Sequence, residues 1–120
     1  MDKIAQISLL YDFYGELLTE KQRQAMALYY EENLSLSEIG EEFGITKQAV
    51  HDTLKKAGQS LEEYERKLGL VDKFIRSSQA LYQIDKEIDE IMAATGERRI
   101  LDKLAGIKKI IRSLEAQQEE

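Results

Sequence analysis

Cysteine is absent from the 120 residues, which excludes disulfides, thiolate zinc sites, iron–sulfur clusters and thiol chemistry in one step. Histidine occurs once, as His51, so almost every histidine-based metal or catalytic constellation goes with it. Proline is absent as well, where ordinary usage is about 5%. With only two valines and seven glycines, the composition belongs to an all-helical protein. The longest apolar runs are a few residues, too short to span a bilayer. The opening MDKIAQISLLYDFYGELL alternates apolar with polar positions and is interrupted by Asp12, unlike a signal peptide. No nucleophile–base pair, glycine-rich phosphate loop or pair of catalytic carboxylates occurs, so neither enzymatic activity nor a cofactor is expected. What is left is a soluble, cytoplasmic, all-α chain of 13.8 kDa, one domain's worth or a small domain with an extension.

Net charge is −6, with 17 basic and 23 acidic residues, against the basic balance of a free-standing nucleic-acid binder. The distribution matters more than the sum. Residues 31–43 carry Glu31, Glu32, Glu38, Glu41 and Glu42 with no basic residue. Residues 46–57 carry Lys47, Lys55 and Lys56 against Asp52, and residues 97–112 carry six basic residues against Glu97 and Asp102. Any anion-binding role has to live in patches.

Apolar residues at Ile4, Ile7, Tyr11, Tyr14 and Leu18 predict a helix over about residues 3–18, its face widened by Leu10, Phe13 and Leu17. Thr19 opens a T-E-K-Q capping box and a second helix, about 20–31, burying Ala25, Met26 and Tyr29. Ser35 opens another box, S-L-S-E, and Gly44 ends that short third helix after Phe43. Thr46 caps a fourth helix from Lys47, whose stripe continues through Leu61, Tyr64 and Leu68 to Gly69. Residues 70–95 run without a breaker, with Val71, Phe74, Leu81, Ile88, Ile91 and Met92 near one face, and Gly96 reads as a C-terminal cap. The last segment spaces Ile100, Leu104, Ile107, Ile111 and Leu114 as a heptad seam. The expected organisation is a four-helix domain over 1–69 and an antiparallel helical hairpin over 70–120, a dimerisation or partner surface.

The informative stretch is LSLSEIGEEFGITKQAVHDTLKK, from Leu34 to Lys56. Gly40 would let a second helix cross closely and Gly44 would supply a left-handed turn. Ile39, Phe43, Ile45, Val50 and Leu54 would fill the angle of a helix-turn-helix. That leaves Thr46, Lys47, Gln48, His51, Asp52 and Lys55 facing outward on the second helix, several of them types that reach phosphates and base edges in a major groove. Asp52 can accept from cytosine N4 but repels phosphates. Lys47, Lys55 and Lys56 offer two or three phosphate contacts, which places binding at the weak end.

The run LTEKQR from Leu18 to Arg23, followed by a short helix and LSLSEIGEEFGITKQAV, resembles region 4 of bacterial sigma factors, over about residues 17–57. The whole chain, with its KLGL junction from Lys67 to Leu70, resembles the YlxM family of small bacterial helix-turn-helix proteins. The first resemblance implies promoter recognition through the second helix of the motif. The second implies a regulatory or accessory role in the signal recognition particle pathway, with the particle's RNA or its GTPase subunit as partner. Three functions stay open: a promoter-binding regulator, an accessory protein of that pathway, and a protein-binding adaptor.

The other candidates have plainer readings. His51 is a surface histidine or a groove contact, with no second His or Cys to complete a metal site. Asp85 and Asp89 share a helical face and read as a solvated acidic surface. The tyrosines read as core and interface packing. Arg98, Lys108, Lys109 and Arg112 fall broadly opposite the heptad seam, a solvated face or a second basic surface for RNA or an acidic protein. Leu101 and Ile110 lie outside the seam, so the apolar surface is wider than one helix covers, and a homodimer through the C-terminal half is expected.

Overall fold

The structure, a computed structural model, describes residues 2–119. It is all-α, with six α-helices and no strand among the described residues. The chain divides into two compact units, Met1–Val71 and Asp72–Glu120.

In the first unit, the Asp2 carboxylate accepts from the Ala5 N–H at 2.7 Å and starts α1, Lys3–Tyr14. The helix is shorter than its apolar spacing predicts. Tyr14 leaves helical geometry at φ −119°, ψ 0°, and a 3₁₀ turn over Gly15–Leu17 closes with the Leu18 N–H on the Gly15 carbonyl. The Tyr64 hydroxyl donates to the Leu17 carbonyl at 3.2 Å and so satisfies an acceptor that a longer helix would have used internally. Ile4 and Leu17, expected on the apolar face, are exposed, Leu17 because it sits in the 3₁₀ turn and not on the face of a continuing helix.

Thr19 and Gln22 make the reciprocal capping box that starts α2, Glu20–Met26. The predicted continuation to residue 31 is not α-helical, because Ala27–Glu31 form a π turn. The extra residue rotates the following side chains, so Tyr29, expected inside, is 36% exposed and meets Tyr30 edge-to-face at 4.9 Å. Two helices follow: α3, Leu36–Phe43, and α4, Lys47–Leu68. Helix α4 packs against α1, α2 and α3 and contributes Val50, Ala57 and Leu61 to a core with Tyr14, Leu18, Ala25, Met26 and Ile39.

Gly69 ends α4 in the left-handed conformation, φ +65°, and Leu70 begins α5, Leu70–Ala94. The orphan amides of the first turn of α5 are met from afar. The Leu70 N–H donates to the Tyr14 hydroxyl at 3.1 Å and the Val71 N–H to Glu65 Oε1 at 3.0 Å. The Tyr14 hydroxyl in turn donates to Glu65 at 2.5 Å. Tyr14 is almost fully buried, and burial first, then the Glu65 carboxylate, push its phenol above the usual value.

The second unit is a pairing of α5 with α6, Arg98–Glu119. Ile88, Leu104 and Ile111 form its core, with Leu81 and Met92 packed against it. Contacts of Asp85 with Lys108 and of Ser78 with Gln118 run in opposite chain directions, so the pair is antiparallel. Two details differ from the sequence reading. Gly96 lies in the connection, but the left-handed glycines are Gly44 and Gly69, so Gly96 is no left-handed cap. Of the heptad seam only Leu104 and Ile111 are buried; Ile100, Ile107 and Leu114 are exposed, as are Ile91 on α5 and Ile110 on α6. The 3.6-residue helix meets a single straight partner along one narrow line, so a seam of five residues is wider than the contact.

Candidate nucleic-acid interface

The motif is built from two capped helices and one tight turn. Ser35 Oγ accepts from the Glu38 N–H at 3.1 Å while the Glu38 carboxylate accepts from the Ser35 N–H at 2.9 Å, closing the box predicted for α3. The Ser35 N–H first, and the Ser35 hydroxyl second, favour the charged carboxylate and hold the Glu38 carboxyl below its usual range. Gly44 follows Phe43 at φ +68° and its N–H donates to the Gly40 carbonyl. The Ile45 N–H donates to the same oxygen at 2.9 Å, the six-to-one bond of a Schellman ending. Gly40 is needed for space: a β-carbon there would stand 2.7 Å from the Ile45 carbonyl oxygen. Thr46 Oγ1 then accepts from the Ala49 N–H at 3.0 Å and starts α4.

Burial of Ile39 on α3 and Val50 on α4 fixes which side faces solvent. Thr46, Lys47, Gln48, His51, Asp52 and Lys55 are all exposed on α4. They are not independent. Gln48 Nε2 donates to Asp52 Oδ1 at 3.1 Å, and His51 Nδ1 lies 3.8 Å from the same oxygen. A carboxylate only accepts, so Gln48 has to turn its amide nitrogen inward along the helix and leave its oxygen free. Asp52 thus gathers two of the predicted contact residues around one negative charge. Glu41 and Glu42 are exposed on α3 beside the turn.

The proposed second basic surface does not assemble. Lys108 is only 17% exposed at its side chain, with Nζ 2.6 Å from Asp89 and 3.1 Å from Asp85. Those carboxylates raise its pKa and form part of the hairpin rather than a free acidic face. The helical wheel placed Lys108 opposite the seam, whereas the α5–α6 contact centres on Leu104 and Ile111 and draws Lys108 to its flank. Arg112 reaches Asp85 at 4.0 Å and Arg98 pairs with Asp102 at 3.3 Å, leaving Lys109 exposed with no ion pair among the described residues.

Sequence reasoning missed a groove of about 410 Å³ bounded by α1, the π turn and α4. Its lining includes Lys3, Ile7, Tyr29, Tyr30, Leu36 and Leu54, and it shares His51 and Lys55 with the exposed face of α4. Burial, and then neighbouring Tyr29, raise the Tyr30 phenol. No local pattern announces a π turn, so nothing in the sequence pointed to this pair. No cluster of three or more His, Cys, Asp or Glu side chains able to hold a metal occurs among the described residues, and none of the helices described is long and apolar enough to cross a membrane.

The family profile for UPF0122, helix-turn-helix proteins that are YlxM / p13 like, matches residues 1–98. A UPF0122 protein of Desulforamulus reducens is 47% identical over 111 residues, 92% of this chain and 94% of its own length. Another, from Halalkalibacterium halodurans, is 48% identical over 90 residues, covering 75% of this chain and 83% of its own. One from Shouchella clausii is 39% identical over 104 residues, covering 87% and 95%. With the turn geometry and these matches together, the chain belongs to the UPF0122 family of YlxM / p13-like helix-turn-helix proteins.

Proposed function

We propose that this protein is a non-enzymatic, cytoplasmic accessory protein of the signal recognition particle pathway that acts through nucleic-acid or protein binding, with the N-terminal half of α4 as its nucleic-acid contact. The observation that carries the nucleic-acid part is the exposed cluster Thr46, Lys47, Gln48, His51, Asp52 and Lys55 on the second helix of a tightly turned pair. The pathway rests on the resemblance to the YlxM family, and it makes the particle's RNA or its GTPase subunit the partner. A second reading, a sigma-region-4-like regulator on a promoter, is favoured by the Gln48–Asp52 pair, since a braced amide suits a base edge. An adaptor that binds only protein is the third. The basic set Arg98, Lys108, Lys109 and Arg112 drops behind α4 as the contact surface, because Lys108 is engaged within the hairpin. A homodimer belongs to the proposal, since two motifs double the few phosphate contacts that Lys47, Lys55 and Lys56 provide.

The deciding experiment measures binding of the pure protein to duplex DNA, to signal recognition particle RNA and to the GTPase subunit at physiological salt. RNA or GTPase binding without DNA binding is expected; DNA binding alone removes the pathway reading and leaves the promoter one. If duplex DNA binds, Gln48→Ala should relax sequence preference by about 1–3 kcal/mol. Lys55→Ala should weaken all sequences alike and lower the salt slope by about one unit. If neither changes binding, α4 is not the contact surface.

A further inference from the structure

The side on which the hairpin's ion pairs lie fixes what its other side must show. Asp85 and Asp89 on α5 meet Lys108 and Arg112 on α6, so these four mark one flank. At about 100° per residue, Ile84 and Ile91 fall on the other flank of α5 from Asp85 and Asp89. By the same count Ile100, Ile107 and Leu114 fall on the other flank of α6 from Lys108 and Arg112. Both helices therefore turn their second apolar stripe to the same side. The antiparallel register, with Lys108 level with residues 85–89, interleaves them in the order Leu114, Ile84, Ile107, Ile91, Ile100. All five are between 37% and 48% exposed. Their accessible area is on the order of 400 Å², within the range of the largest apolar patch on a monomer, which is often a functional surface.

The edges of that face are unlike. On α5 the turn-proximal edge carries Glu87; on α6 the turn-proximal edge carries Lys103, with exposed Ile110 further from the turn. A two-fold axis parallel to the helices lays α5 on the partner's α6 at the same level and brings acidic edge to basic edge. The other two-fold, across the helices, lays α5 on α5 and sets like edges together. The face is thus complementary to itself under one operator, and the result is an antiparallel four-helix bundle. Two such faces contribute about 800 Å² of apolar area before their charged edges are counted, toward the roughly 1,200 Å² at which stable specific interfaces begin.

We propose that this face, Ile84, Ile91, Ile100, Ile107 and Leu114, is where a second copy of the chain docks, related by a two-fold parallel to α5 and α6. This deepens the homodimer part of the proposed function. It is independent of which nucleic acid, if any, binds α4.

The test is sedimentation equilibrium of the full chain without nucleic acid across the micromolar range, with far-UV circular dichroism as the folding control. Wild type is expected to be dimeric. Ile91→Asp and Ile107→Asp alter exposed positions, should keep the helical signal and melting profile, and should each weaken dimerisation at least a hundredfold. Tyr82→Asp, on an exposed residue off this face, should leave it intact. Glu87→Lys and Lys103→Glu should each weaken the dimer about two- to fivefold, and the double reversal should restore it. A wild-type monomer overturns the homodimer altogether. A dimer that survives both aspartates, or is lost with Tyr82→Asp, overturns this face. A double reversal without recovery overturns the axis. None of these outcomes touches nucleic-acid binding by α4, which is measured separately.

Discussion

Replacing glycine by alanine at three positions should give three different results, because each glycine is present for a different physical reason. At Gly40 the new β-carbon would stand 2.7 Å from the Ile45 carbonyl oxygen, a backbone atom that itself begins the turn into α4. Relief requires a shift of about half an ångström between α3 and the turn, an overpacking cost of about 2–3 kcal/mol at the upper end of the usual range. Better helix propensity returns about 1 kcal/mol, so Gly40→Ala should destabilise by about 1–2 kcal/mol. At Gly44 space is open, but φ is +68°. The left-handed penalty of about 1–2 kcal/mol, less the reduced entropy of the unfolded chain, leaves a loss of about 1 kcal/mol. Gly58 lies inside α4 with nothing within 4 Å of an added β-carbon. There alanine should stabilise by about 0.5–1 kcal/mol. Thermal unfolding followed by far-UV circular dichroism reads all three, since 1 kcal/mol moves the midpoint of a domain this size by about 4–8 °C. Asparagine should be tolerated better than alanine at 44 and no better at 40. A neutral or stabilising Gly40→Ala would refute the close crossing of α3 and the turn on which the whole motif geometry rests.

Other consequences are as specific. Tyr14→Phe removes the donor to Glu65 and the acceptor of the Leu70 N–H; it should cost about 1.5–3 kcal/mol in urea unfolding and speed hydrogen exchange at Leu70, and a loss under about 0.5 kcal/mol would contradict the cap. Lys108→Met should lower the urea midpoint, because it leaves Asp85 and Asp89 on the hairpin without their cation, yet leave RNA and DNA affinity unchanged; an affinity loss without a stability loss would restore Lys108 to an anion-binding surface. Glu38 has a depressed pKa in the folded chain, so its contribution is complete above the ordinary 4.5 and is lost as pH falls through the folded value. Ser35→Ala keeps the backbone N–H, the larger cause, and removes only the hydroxyl, so it should flatten the acid side of the stability profile in part, and NMR titration of Glu38 should show its pKa rising while staying below the ordinary value.

How much of this was legible follows from the range of each interaction. The boxes Thr19–Gln22 and Ser35–Glu38 and the cap at Thr46 span three residues, and all form where the spacing places them. The left-handed turn at Gly44 was equally readable, and so was the exposure of the α4 cluster, because Val50, Ala57 and Leu61 define the buried side by periodicity alone. The Gln48–Asp52 bond is also a local i,i+4 pair that the sequence carries without announcing. What could not be read is non-local or subtle. Tyr14 meets Glu65 and Leu70 across more than fifty residues. The π turn at 27–31 has no sequence signature, so the exposure of Tyr29 and the groove beside it were invisible. Lys108 was placed by a wheel drawn about the heptad seam, whereas the centre of the α5–α6 contact is set by how α5 presents Ile88 and Leu81.

The electrostatics of α4 and the proposed self-docking face of the hairpin can be tested against each other through salt. Each motif offers Lys47, Lys55 and Lys56, all exposed. At about 0.9 released counterions per phosphate contact, three contacts give a slope of about −2.7 in log affinity against log salt, and six give about −5.4. Between 50 and 200 mM salt, that is an affinity loss of about 40-fold for one motif and about 2,000-fold for two working together. In the promoter reading, wild-type protein titrated onto duplex DNA long enough for two motifs should show the steeper slope. Ile107→Asp, which leaves α4 untouched, should show the shallower one together with weaker binding overall. Lys55→Ala should lower the wild-type slope by about two units in a dimer and about one in a monomer. Equal slopes for wild type and Ile107→Asp would mean that one motif engages at a time even in the dimer. The two copies would then serve a partner other than a paired site on DNA, and the promoter reading would lose its remaining physical support.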